Sequence, residues 1–536
     1  MPETALSPSW RTTAQSAAAR QNWALLTIAV SVNATLLWVA SHAHSPLLAI
    51  AAALLFAFSN NTVFGLLHEA VHGHFDSQPV CNRAAGWLCA AFFPTSFTLQ
   101  RSAHLTHHRN NRSALERFDY IGPDEAIPLK TAQWFSILTG LYWLGIPVFL
   151  LFYCLAAEIV PWRRLIRAES GFSRQTSANE FLESLTRLPV WRVRTEFAFS
   201  LAVQGALVWL LGLSFGGWAL CYGAFALAWS SLQYADHAFS PLDRVEGSWN
   251  LLVSGFTRRM FLNYHYHLEH HRDPECHWQD LPSRAQPEAD KPQRFLSILL
   301  LMWQGPRLLP NSSQGEARQR LLERCIVATH VLVFGTVFEL VYGLANRHFL
   351  SQTSFFDLAL PIDRLMPFAP EWSLAYVTIT PLLLVTALVL ATPQRSLPVL
   401  GALVFEVIVA GLCFVTFPVA PPQPPQVAMS PLVTWLFALA DGINLEGNCM
   451  PSLHVALALS CAWAADGPTR MPVRLVLWAW ALAITASTVL TWQHWVLDVA
   501  GGALLAAFAM GVIRPWLART LARVEAQIIT APAGSA

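Results

Sequence analysis

Apolar residues run in blocks along this chain instead of alternating with polar ones, and the blocks recur at lengths that suit helices. Mostly apolar stretches occupy 24–40, 46–67, 196–213 and 216–235, with a shorter one at 84–98 and one interrupted by Pro147 at 134–157. A second series follows at 325–345, 372–391, 397–418, 452–466, 472–490 and 496–516. A helix of about 20 such residues crosses a hydrocarbon layer of roughly 30 Å, so the pattern predicts an all-α, polytopic membrane protein. Residues 24–40 could serve as a signal-peptide core, but another apolar run follows almost at once without a convincing cleavage site, so this segment reads as a retained anchor.

Between the two series, residues 304–324 (QGPRLLPNSSQGEARQRLLER) are polar, charged and interrupted by Pro and Gly, which reads as a linker. The expected domains are therefore 1–303 and 325–536, the second a bundle of six helices. Composition agrees: 54% of residues are hydrophobic and 12% charged, against about 25% charged in soluble domains. The net charge of +1 offers neither a basic surface for nucleic acid nor an acidic tail, so the expected partners are lipids. The nine cysteines are scattered and form no CxxC pair, as expected of core-packing residues.

Basic residues set the expected topology, since Lys and Arg favour cytoplasmic loops. Residues 158–195 contain Arg163, Arg164, Arg167, Arg174, Arg187, Arg192 and Arg194, which puts this loop inside. The polar segments after 67 and 235 share that side only if 134–157 does not cross fully, so that stretch is expected to be re-entrant or interfacial. In the second half, Arg470, Arg474, Arg514, Arg519 and Arg523 mark inner segments, whereas 419–451 lacks Lys and Arg and is expected outside, with the turn near Gln493.

Three clusters stand out among the eighteen histidines: His68, His72 and His74; His104, His107 and His108; His265, His267, His270 and His271. Residues three or four apart share a helix face, so His68 with His72, His104 with His107 and His108, and His267 with His270 and His271 can each aim imidazoles at one point. Neutral imidazoles suit iron, zinc or copper. Eight of them exceed the needs of one tetrahedral ion, and two metals are the economical reading. A local alternative is that HEAVH at 68–72 forms an HExxH zinc site with Glu69 as base, which leaves the other clusters without a role.

In order, spacing and placement after apolar segments, the boxes HxxxH, HxxHH and late HxxHH over about residues 20–300 resemble the membrane fatty-acid desaturase superfamily. The resemblance implies a four-span helical bundle with two iron ions at a cytoplasmic di-iron centre. Its ligands would be His68, His72, His104, His107, His108, His267, His270 and His271. The family also presents an amide and a histidine one turn apart at the end of the last span. Gln233 and His237 fit that place, His237 as a ninth ligand and Gln233 as a weaker, water-mediated one. His74, His265 and His277 are expected to orient ligands through hydrogen bonds, with Asp119 and Glu269 as candidate acceptors for ring N–H groups.

The implied chemistry is O2 activation at reduced iron and hydrogen abstraction from an unactivated C–H bond, followed by a second abstraction or by oxygen rebound. Desaturation and hydroxylation share these boxes, as do carotenoid hydroxylases and ketolases. With no haem, flavin or Cys-cluster motif in the chain, electrons are expected from a separate ferredoxin or cytochrome-type protein.

The second half carries two polar islands, Cys449–His454 and Gln493–Asp498. Ser452 is a natural helix cap beside N–H groups that attract phosphate, and Asp498 is four residues from His494, close enough to orient its ring. PSLH at 451–454, HWVLD at 494–498 and PVAPP at 418–422 resemble the type 2 phosphatidic acid phosphatase superfamily over about 325–516. The likeness is greatest to its lipid phosphotransferase branch, which includes inositol phosphorylceramide and sphingomyelin synthases. It implies His494 as nucleophile, Asp498 as its orienter and His454 as general acid. The phosphatase branch's KxxxxxxRP and SRxxxxxH are missing: no lysine follows Lys291, and Thr488 follows Ser487 where that branch has Arg. A transferase-like site is therefore favoured, with Arg347 and Arg364 either supplying charge or anchoring at the interface. The expected protein oxidises an acyl or sphingoid chain inside and acts on a lipid headgroup outside; the alternative is a lipid phosphotransferase with a non-catalytic histidine half.

Overall fold

The computed structural model describes residues 8–114, 116–160, 184–310, 314–445 and 447–529, so Arg163, Arg164, Arg167 and Arg174 of the basic loop lie outside the described residues. Helices dominate; the four strands among these residues form two parallel pairs, β1 (Tyr120–Ile121) with β4 (Arg307–Leu308) and β2 (Leu251–Leu252) with β3 (Gln293–Arg294). The chain divides into two compact units, one within Met1–Gln314 and one spanning Gly315–Ala526.

In the first unit, α1 (Pro8–His42) packs along α2 (Pro46–His72), and both pack against α8 (Phe215–Ala235). The shorter α3 (Pro79–Phe92) lies against α2 and α7 (Val190–Leu211). Pro46 opens α2 where its missing N–H costs nothing, and Gly73 closes it at φ 88° with its N–H on Ala70 O. Helices in lipid gain little hydrophobic drive from meeting one another, so close packing and polar contacts must hold them. Asn33 Nδ2 donates to Asn60 Oδ1 at 2.9 Å, Asn60 Nδ2 to Phe92 O at 3.1 Å, and Gln204 Nε2 to Ala91 O at 2.9 Å.

Among the described residues seven helices are long and apolar enough to cross a membrane, which makes this an integral membrane protein. Two expected spans, 196–213 and 216–235, are full-length helices, α7 and α8, but are not among those seven. Their inward positions include Glu196, Gln204, Tyr222, Ser230, Ser231 and Tyr234, all buried. Polar groups inside a bundle lower mean hydropathy without contradicting a span.

The Pro147-interrupted stretch breaks as α5 (Ile127–Leu138) and α6 (Leu141–Ala156), bent by 104°, the geometry of a broken span or a re-entrant loop. Gly140 makes the corner at φ 77°, and a Cβ there would lie 2.9 Å from Leu227 N. Only glycine meets both demands.

The second unit starts with α10 (Glu316–Phe349), so residues 316–324 of the expected linker are already helical. It continues through α11 (Ile379–Leu390), α12 (Pro393–Thr416), α13 (Pro431–Ile443), α14 (Leu453–Ala465), α15 (Met471–Leu490) and α16 (Val496–Phe508), where a π turn over Ala509–Ile513 leads to α17 (Arg514–Ile529). Two features differ from the sequence expectation. Residues 419–451, expected outside with no helix assigned to them, contain α13. The span expected at 452–466 is a helix of 13 residues, about 20 Å long at 1.5 Å per residue and too short to cross alone.

A Cβ on Gly502 would run into Ser452 O and lie 3.0 Å from Val455 Cβ, so glycine permits the approach of α16 to α14. Gly502→Ala is expected to destabilise this unit by about 1–3 kcal/mol through overpacking, read as a lower thermal midpoint of the full chain in detergent. Gly442→Ala, whose Cβ meets open space, should not lower the midpoint.

Candidate active sites

The second histidine box owes its position to one buried carboxylate. Glu196 of α7 accepts hydrogen bonds from Ser96 Oγ at 2.6 Å, Thr98 N at 2.7 Å and Thr98 Oγ1 at 2.7 Å. It thereby fixes the start of α4 (Phe97–Asn110), which Ser96 caps. The third box follows a tight turn in which Leu262 and Asn263 adopt positive φ. It lies on α9 (His267–Arg272), whose Leu268 N–H bonds Asn250 Oδ1 at 3.1 Å.

These constraints gather the imidazoles into two sets. His68, His72, His104 and His270 offer nitrogen atoms within 4.8 Å of one another, and His107, His237, His267 and His271 do the same. His108 bridges the sets: its Nε2 is 3.0 Å from His104 Nε2 and 2.9 Å from His270 Nε2, and its ring centroid is 4.6 Å from that of His271. Further Nε2 pairs close at 2.9 Å (His72–His104), 3.0 Å (His237–His267) and 3.3 Å (His107–His271).

The donor chemistry fits metal ions. Each Nε2 has one proton or one lone pair, so the run His72–His104–His108–His270, whose two middle atoms each face two neighbours, cannot be satisfied by linear proton sharing. Nitrogens about 2.1 Å from a common cation stand about 3 Å apart, which is the observed spacing. His68 Nε2 is buried without a partner, its ring 4.5 Å from those of His104 and His270. Burial holds the His104, His237, His267, His270 and His271 imidazoles well below their usual range and His108 down to about 2. They stay neutral at pH 7, the form that ligates.

The groups that orient these rings were largely hidden from sequence reading. His107 Nδ1 is 2.8 Å from Glu116 Oε1, His237 Nδ1 donates to Gly247 O at 2.9 Å, and His271 Nδ1 lies 3.4 Å from Asn111 Nδ2. Asp236, fully buried, lies 3.6 Å from His267 Nδ1. The candidate acceptors Asp119 and Glu269 are engaged elsewhere, Asp119 with both Arg112 guanidinium nitrogens, Tyr234 OH and Phe239 N, and Glu269 with Asn250 and Arg272. Removing a carboxylate behind a metal-binding histidine typically costs about 10–100-fold in metal affinity, so Glu116→Gln is expected to lower the metal retained after dialysis against a weak chelator, measured by elemental analysis.

Gln233 lines the cavity shared with His107, His237 and His267, and its Nε2 donates to Tyr264 OH at 3.1 Å. Glu69 lies 3.6 Å from His277 Nε2 and 3.4 Å from Trp278 N, while His68 and His72 share their set with His104 and His270. The local HExxH alternative therefore lacks a base aimed at its metal. His74 Nε2 lies 3.2 Å from Glu275 Oε2. The His265 ring packs on Tyr266 with centroids 4.2 Å apart.

Beside the second set lies a cavity of about 430 Å³, walled by α4, α5, α6 and α8 and reaching His104, His107, His237 and His267. Its walls are mainly apolar, with Leu99, Ile137, Ile146, Phe149 and Trp229 prominent.

In the second unit, Ser452 caps α14 and its N–H donates to Asp498 O at 3.0 Å, joining the two polar islands. The His454 and His494 ring centroids are 6.2 Å apart, and His494 Nδ1 is 3.4 Å from Asp498 Oδ2. Both Nε2 atoms are buried without a partner. Tyr376, which sequence reading missed, stacks on His454 at 4.1 Å with its hydroxyl 3.2 Å from His454 Nδ1. Thr488 is buried, and its backbone oxygen accepts the N–H groups of Gln493 and His494, each at 3.1 Å. Arg347 and Arg364 are exposed.

Residues 43–297 match the fatty acid desaturase family, and residues 347–512 match the PAP2 superfamily. No curated protein matches the chain. The desaturase-like segment contains both histidine sets, and the PAP2-like segment contains His454, His494 and Asp498. Two segments similar to lipid-enzyme families in one integral membrane chain indicate a membrane lipid-modifying enzyme.

Proposed function

We propose that the desaturase-like unit is a di-iron oxidase that removes hydrogen from, or hydroxylates, a lipid chain lying in the cavity beside His107, His237 and His267. The observation that carries this reading is the pair of converging imidazole sets next to an apolar cavity. Two iron ions bound there would supply O2 activation and C–H cleavage, with electrons from a ferredoxin or cytochrome-type donor. The chain's own contribution is positional. His108 lies against both sets, 3.0 Å from His104 Nε2 and with its ring 4.6 Å from that of His271, and Glu116 holds the ring of His107. The cavity walls keep the chain extended and dry against the second set.

The PAP2-like unit acts as a lipid phosphatase or, better, a phosphotransferase. His494 Nε2 attacks phosphorus while Asp498 steadies the ring through Nδ1. The ester oxygen leaves with a proton from His454, and an acceptor alcohol then takes the phosphoryl group from His494 while giving its proton back to His454. The lack of lysine after Lys291 and the exposure of Arg347 and Arg364 favour transfer within an inositol phosphorylceramide synthase-like site over monoester hydrolysis. Arg187, Arg192 and Arg194 support a cytoplasmic oxidase site, and the Lys/Arg-free 419–451 supports an outward phosphotransferase site.

Comparative lipid mass spectrometry of cells carrying the wild type, His270→Ala or His494→Ala tests both halves at once. A loss of two hydrogens or a gain of one oxygen that depends on His270, and a headgroup change that depends on His494, are the expected results. Lipid profiles identical in all three strains would overturn the proposal.

A further inference from the structure

Three residues that line the apolar cavity of the desaturase-like unit carry polar atoms that a plain hydrocarbon cannot serve. Trp229 Nε1, Ser230 Oγ and Gln133 Oε1 belong to residues that line it, and each is buried without a hydrogen-bond partner. Ser230 is fully buried and Trp229 is 3% exposed. Buried polar atoms are almost always paired, and those few that are not call for a ligand or water. Trp229 and Ser230 also lie apart from the metal-holding machinery, eight and seven residues before His237 and about 10 Å along the helix direction.

Their chemistry is specific. Trp229 Nε1 only donates, Gln133 Oε1 only accepts, and Ser230 Oγ does either. A methylene chain satisfies none of them, and an ester or ketone carbonyl satisfies the donors but leaves Gln133 Oε1 unpaired. A hydroxyl or a secondary amide, each both donor and acceptor, satisfies both kinds. Resting on the reading of this cavity as the oxidase's substrate site, we propose that the preferred substrate is a long-chain lipid bearing a hydroxyl or secondary amide in the portion threaded between α5 and α8.

The test is equilibrium binding to the full-length, iron-loaded protein in detergent, using radiolabelled octadecanoate, a positional series of hydroxyoctadecanoates, and N-hexadecanoyl sphinganine. At least one functionalised chain is expected to bind about tenfold more tightly than octadecanoate, the size of one well-made buried hydrogen bond. Gln133→Leu combined with Ser230→Ala should erase that preference while iron content stays at the wild-type level. Equal affinity for all probes in the wild type would overturn the substrate preference and leave the oxidase reading intact. Binding of none of them, with iron present, would overturn both the preference and the assignment of the cavity. If the double variant loses iron, Gln133→Leu alone decides: retained discrimination sinks the proposal and lost discrimination supports it. Water-filled polar atoms predict retained octadecanoate binding with no gain from any hydroxyl position, which also counts against it.

Discussion

His270→Ala is expected to abolish the oxidative product, by about a thousandfold or more, because it removes the imidazole that ties the third histidine box to the first two. Its Nε2 is 2.9 Å from His108 Nε2, and its ring centroid is 4.5 Å from His68 and 4.7 Å from His72. With three neighbours left in that set, one cation loses a ligand and its geometry, and losing a ligand should weaken binding by more than the about 10–100-fold typical of an outer-shell partner. Elemental analysis of the purified variant should therefore show iron falling from about two to about one per chain. Headgroup chemistry should persist, since His454, His494 and Asp498 belong to the other compact unit. Full iron occupancy in an active His270→Ala protein would remove the basis of the two-metal reading.

The second large effect is expected at His494. Loss of a nucleophile that forms a covalent intermediate leaves only binding and charge stabilisation, so His494→Ala should lower headgroup transfer by about 10⁴-fold or more. His454→Gln should cost about 10²–10⁴-fold, the range for a general acid. It should cost less for substrates whose leaving group needs no proton, and that difference identifies its role. Asp498→Asn should fall between the wild type and His494→Ala, because Asp498 Oδ2 also accepts Trp495 N–H at 2.9 Å and the turn depends on it. Rates are measurable by transfer of a labelled phosphate-containing headgroup to a lipid alcohol in mixed micelles. Undiminished transfer by His494→Ala would dismiss the nucleophile assignment.

Helical periodicity made much of the histidine centre legible. His68 with His72, His104 with His107 and His108, and His267 with His270 and His271 are neighbours within single helices, where spacing alone fixes the face. Their partners were not legible. Glu116 meets His107 across a turn, Asn111 meets His271 from 160 residues away, and Glu196 sets the α4 terminus from 98 residues beyond Thr98. Asp119 and Glu269 lie close to histidine boxes in sequence, yet Arg112 and Arg272 engage them. Likewise α13 escaped notice because its 13 residues are too few for a span and a proline-rich stretch precedes them.

By itself the sequence determined what one-dimensional spacing encodes: membrane helices from runs of apolar residues, and histidine faces from intervals of three and four. Tertiary structure alone decided the division of the histidines into two sets with His108 against both, the cavity beside His107 and the stacking of Tyr376 on His454. The physical reason is range. A helix fixes directions over a few residues, whereas these contacts depend on where separate helices meet, and that depends on small residues, buried polar pairs and corners such as Gly140 acting together.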